Sequence, residues 1–154
     1  MTGHTFGKSF ITVCLTAFVG IAGCGGDDDP TAPPMIQPPP APTRVVKANP
    51  SLANDIQEIF NRLGCSGGSC HGAAQSAGLN LGSASAAFTS LVGVSATSES
   101  IVRVIPNDAD NSYLVIKLEG RQSVGARMPL GGGMIDTVDL NNIKNWINTG
   151  AANN

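Results

Sequence analysis

The sequence predicts an all-α domain. Two apolar stripes at helical spacing stand at either end of the region 51–154, and a cysteine cluster follows directly on the first. In the first stripe Leu52, Ile56, Ile59, Phe60 and Leu63 share one helical face. Ser51 precedes it as a cap and Gly64 follows it as a terminator. In the last stripe Leu140, Ile143, Trp146 and Ile147 repeat the pattern. Asp136 stands where a cap belongs, Asp139 adds negative charge to the first turn, and Gly150 closes the run.

Between these ends the signals are shorter. The segment 84–92 reads as a brief helix with Phe88, Leu91 and Val92 on its apolar side. The segment 112–118 reads as another, carrying Tyr113, Leu114, Ile116 and Lys117. Its Tyr-Leu-Val-Ile core also suits a strand. Three to five helices therefore account for the domain. Only 5% of the 154 residues are aromatic, while 19 are glycine and 10 are proline, so the protein core is thin for its length. A bulky apolar cofactor would supply the missing volume.

The residues before the domain read as an address and a tether. Lys8 precedes an apolar run over 10–22, too short for a comfortable membrane span but suited to a secretory signal. It ends in Ile21-Ala22-Gly23-Cys24, which resembles a bacterial lipobox. On that reading 1–23 is the signal peptide and Cys24 takes a diacylglycerol thioether. The chain is then exported and lipid-anchored to the membrane, facing the periplasm. Gly25, not aspartate, follows the cysteine, which favours the outer membrane. Residues 24–50 form a linker rich in proline, with Pro38-Pro39-Pro40 at its centre. The domain proper is expected at 51–154. A net charge of −2, with 13% charged residues and no basic stripe, gives no reason to expect nucleic acid.

The chemistry sits after the first helix. Of four cysteines, Cys14 and Cys24 fall in the signal region and only Cys65 and Cys70 lie in the domain. They stand in Cys65-Ser66-Gly67-Gly68-Ser69-Cys70-His71-Gly72. Cysteines with histidine directly after the second make the attachment pattern of haem c. Two thiols bond the porphyrin edge and the histidine reaches the iron. Four residues separate the cysteines here, where two are usual. Ser-Gly-Gly-Ser suits the wider loop, because glycine reaches backbone angles closed to other residues. A Cys65–Cys70 disulfide is a second reading that export permits. Zinc is a third, but Cys65, Cys70 and His71 supply three ligands, and the remaining histidine, His4, lies in the signal.

Iron held by one histidine has a second axial position. Met128, in the irregular Arg127-Met128-Pro129 segment, offers a soft thioether there, and Met134 competes with it. Arg127 is the first candidate to pair with a haem propionate, with Arg103 and Lys117 as others. Tyr113 and Trp146 reach the same role only if they are not core residues.

With these pieces in order the region 56–151 resembles the class I c-type cytochromes, in particular single-haem domains of exported bacterial proteins with the wider cysteine spacing. The resemblance is carried by Ile59-Phe60, Cys70-His71-Gly72, Gly78-Leu79-Asn80-Leu81, Val104-Ile105-Pro106-Asn107-Asp108, Ser112-Tyr113-Leu114, Arg127-Met128-Pro129, and Trp146-Ile147 with Gly150-Ala151. It implies His71 and Met128 as the axial ligands of one covalent haem. It also implies that the first and last helices cross near the haem edge, with Phe60 against Trp146. The implied activity is one-electron transfer with redox proteins of the cell envelope. With both axial positions filled, such a domain is a carrier and not an enzyme. A five-coordinate haem enzyme or sensor, and a haem-free lipoprotein module, are the alternatives.

Overall fold

A computed structural model describes residues 43–154. The signal peptide, Cys24 and the first part of the linker lie outside the described residues. Four α-helices make up the domain: α1 Gln57–Arg62, α2 Ala84–Leu91, α3 Tyr113–Glu119 and α4 Thr137–Asn148. A π-helical turn, Leu52–Ile56, leads into α1, and a short 3-10 turn spans Ser76–Gly78. The described residues hold no strand, only isolated bridges such as Val92–Val104. The domain is all-α, and the stretch 112–118 takes the helical alternative.

Capping explains where the helices begin. The Ser51 hydroxyl accepts from the Asn54 amide, and the Asp55 carboxylate accepts from the Ser51 amide at 2.8 Å. Asn154 adds a second cap from the far end of the chain. Its side chain accepts from the Leu52 amide at 3.0 Å and its backbone oxygen from the Ala53 amide at 2.8 Å. Ser83 caps α2, and Asp136 caps α4 by accepting from the Asp139 amide. Ser112 makes no such cap. The first amides of α3 instead donate to the backbone carbonyls of Val102 and Arg103. Gly120, at φ +79°, then ends α3 in the left-handed region.

The helices enclose one core. Leu52 and Ile56 are fully buried, and their turn packs against α4 and α2, while α3 packs on α4. Ile143, Trp146 and Ile147 are the buried face of α4, with Leu140 at its margin. Phe60 and Trp146 belong to this one cluster. It is the turn Leu52–Ile56, ahead of α1 itself, that meets α4 most closely.

Residues 43–50, expected as the end of the proline-rich linker, instead pack along α4. Asn142 accepts from the Lys47 amide at 2.7 Å and donates to the Val45 carbonyl at 3.0 Å. Asn145 donates to the Lys47 carbonyl. Arg44 pairs with Asp136 and Asp139, and Arg62 of α1 grips both oxygens of Asp139 at 2.8 Å. Asp139 is only 1% exposed, so two arginines and the helix start compensate a buried carboxylate. The packed region thus starts ahead of Ser51, held to α4 by these amide and charge pairs.

Candidate functional site

The turn after α1 builds the motif. Gly64, at φ +73°, closes α1 and directs the chain into Cys65. The four-residue loop then coils on itself through backbone hydrogen bonds: Gly67 to Gly64, Cys70 to Gly67, and His71 to Cys65, at 3.0–3.1 Å. Gly72 is forced by this coil. A Cβ there would lie 2.2 Å from the Ser66 carbonyl oxygen and 2.8 Å from that of Gly67. The loop therefore absorbs the extra two residues as a turn that brings the His71 amide back to the Cys65 carbonyl.

Cys65, Cys70 and His71 line a cavity of about 350 Å³ that Met128 also lines. Its walls are mainly apolar, with Ile59, Phe60, Leu79, Leu91, Leu118 and Ile143 among them. Of the two methionine candidates, Met128 reaches the cavity and is partly buried against the core. Met134 is 71% exposed and does not line it. The Met128 amide donates to the Lys117 carbonyl at 3.0 Å, tying the segment to α3.

His71 is oriented by a single bond. Its Nδ1 lies 2.9 Å from the Ser76 carbonyl oxygen. A carbonyl only accepts, so Nδ1 carries the proton and Nε2 keeps the lone pair that binds a metal. Both cysteines are free thiols. Burial pushes the Cys65 thiol above its ordinary range, so it stays protonated at neutral pH. That is the opposite of the activated thiolate of a redox-active cysteine pair. Among the described residues no group of three or more His, Cys, Asp or Glu side chains is arranged to hold a metal ion.

The cations divide in a telling way. Arg44, Lys47, Arg62, Arg121 and Lys144 each pair with a carboxylate. Arg103, Lys117 and Arg127 make no ion pair among the described residues. Arg103 and Lys117 line the cavity. Arg103 is only 6% exposed and donates to the carbonyls of Ala77, Gly78 and Ser90. Lys117 donates to the Val124 and Ala126 carbonyls and lies over the Tyr113 ring. Burying the Arg103 cation without a counter-charge is costly, so this wall favours an occupant bearing carboxylates. Arg127, the first propionate candidate, is not on the cavity. Its guanidinium turns to the carbonyls of Gly132 and Gly133, and its stem fills the space beside Gly120. Trp146 is also off the cavity, buried and donating to the Ala152 carbonyl at 2.9 Å. Tyr113 lines the cavity.

Sequence reasoning missed two contributors. Ser76 acts through its carbonyl, which every residue has, so nothing in its identity marks it. The strap 43–50 had a legible signal, since Arg44-Val45-Val46-Lys47 interrupts the proline-rich composition. Arg103 was named only as a secondary propionate candidate, although it is a lone cation within Ile101-Val102-Arg103-Val104-Ile105.

Comparison of the chain with family models, with curated proteins and with solved structures finds no match.

Proposed function

We propose that this domain is a c-type cytochrome that carries single electrons at the bacterial cell envelope, with a cytochrome c-like fold around one haem. The observation that carries the reading is the convergence of Cys65, Cys70, His71 and Met128 on one apolar cavity. When bound there, haem supplies reversible one-electron chemistry at its iron.

The chain's residues would do the following. Cys65 and Cys70 would hold the haem covalently, each as a thioether. His71 presents Nε2, because the Ser76 carbonyl holds the proton on Nδ1. Met128 offers a thioether from the α3 side, a ligand that raises the reduction potential relative to a second histidine. Arg103 and Lys117 offset propionate charge at the cavity wall, and the aliphatic lining excludes water. With His71 and Met128 both holding the iron, the domain would act as a carrier. It would meet redox proteins through small, weak interfaces, while lipid on Cys24 holds it to the membrane.

The test is a pyridine haemochrome spectrum of the chain matured in a host that makes cytochromes c. A thioether-haem band is expected. Its absence overturns the reading and leaves the haem-free module with a Cys65–Cys70 disulfide.

A further inference from the structure

We propose that Arg103 is a positioning residue for His71, acting through the turn at 75–78; this deepens the haem reading above and rests on it. His71 is oriented by the Ser76 carbonyl, and the backbone around that carbonyl is strained. Gln75 sits at φ +46° and Ala77 at φ +58°, both in the left-handed region that disfavours side chains other than glycine. Two such residues flanking one serine persist only where the surroundings hold them.

Arg103 is what holds them. Its Nη2 donates to the Ala77 carbonyl at 2.8 Å and its Nη1 to the Gly78 carbonyl at 3.2 Å. These are the two carbonyls directly after the one that faces His71. A third bond, Nη1 to the Ser90 carbonyl at 2.7 Å, ties the turn to α2. Thr97 adds a weaker bond to the Ala77 carbonyl at 3.3 Å. No carboxylate pairs with Arg103 among the described residues, so ion pairing does not account for burying it. Spanning three carbonyls on two segments does. A planar guanidinium fork can do this, whereas a lysine ammonium is a compact point charge that cannot reproduce the geometry.

The consequence is a two-step linkage from a buried arginine to the iron ligand. Loosening the turn frees the Ser76 carbonyl, and the Nδ1 proton of His71 is then less well held.

The experiment uses the haem-loaded protein with Arg103→Lys and Arg103→Met. Proton NMR of the reduced state reads exchange of the His71 Nδ1 proton, alongside the denaturation midpoint. Both variants are expected to exchange this proton about tenfold faster, the scale of one lost hydrogen bond. Lysine keeps the charge and loses the fork, so it separates positioning from electrostatics. Unchanged exchange in folded, haem-loaded Arg103→Lys overturns the proposal, even if its midpoint falls. Should neither variant fold, native-state exchange on the unaltered protein decides. There the Arg103 Nη protons and the His71 Nδ1 proton must exchange through one opening with the same denaturant dependence. Two separate openings overturn the linkage. A preparation without thioether haem removes the parent reading, and this one with it, before any variant is compared.

Discussion

At the scale of single residues, the structure separates side chains that the sequence left equivalent. Met128 and Met134 are six positions apart, both near glycines, and both carry the same soft sulfur. Only Met128 lines the cavity with His71. On the proposed haem reading, Met128→Ala is expected to abolish a weak near-infrared iron–sulfur band of the oxidised protein and to lower its reduction potential. Met134→Ala should leave both unchanged, since that side chain is solvated. The reverse pattern in the absorption spectrum would reassign the ligand. Arg127 and Arg103 were separated in the same way. Arg127 was favoured because a guanidinium matches a carboxylate, but residue type alone does not direct a long, flexible side chain. Two glycine carbonyls claim Arg127, and three carbonyls at the cavity wall claim Arg103.

At the scale of elements, α4 was well marked. Its stripe, its Asp136 cap and its Asp139 charge all act within one or two turns, so local sequence is enough to encode them. The middle helices were harder. The stretch 112–118 has strand-like composition, and α3 wins because distant carbonyls at 102 and 103 take its first amides. The cap of α4 makes a pH prediction. The Asp139 amide, and next the Arg44 guanidinium, hold the Asp136 carboxyl down to about 2. A folded pKa below the unfolded one stabilises above the unfolded value, near 3.9, and this is lost as pH falls toward 2. Asp136 is substantially exposed, so solvent screening keeps the effect small. Urea midpoints of the wild type should decline between about pH 4 and pH 2, and Asp136→Asn should flatten part of that decline. An equally steep decline in the variant would remove Asp136 as the cause. Substituting Asp136 by alanine should also cost about 1 kcal/mol at neutral pH, the usual worth of an N-cap.

At the scale of the whole molecule, the proposed arrangement is a tethered carrier. Residues 43–50 pack on α4, with Arg44 beside its start. No helix among the described residues is long and apolar enough to cross a membrane. Cys24→Ala is expected to lose incorporation of labelled fatty acid and to move from the membrane fraction to the soluble one. Retained label in that variant would exclude Cys24 as the anchor.

The sequence by itself determined what is encoded locally. It placed the terminal helices and their caps, the Cys65-to-Gly72 motif, and a choice of two methionines. Each depends on spacings of a few residues, and those survive in any fold the chain adopts. Tertiary structure decided which methionine faces His71, that Arg103 and not Arg127 stands at the cavity, that a plain backbone carbonyl orients the histidine, and that 43–50 belongs to the domain. These depend on contacts between segments tens of residues apart. Such contacts follow from how the helices pack and which buried polar groups find partners, and no local pattern carries that information.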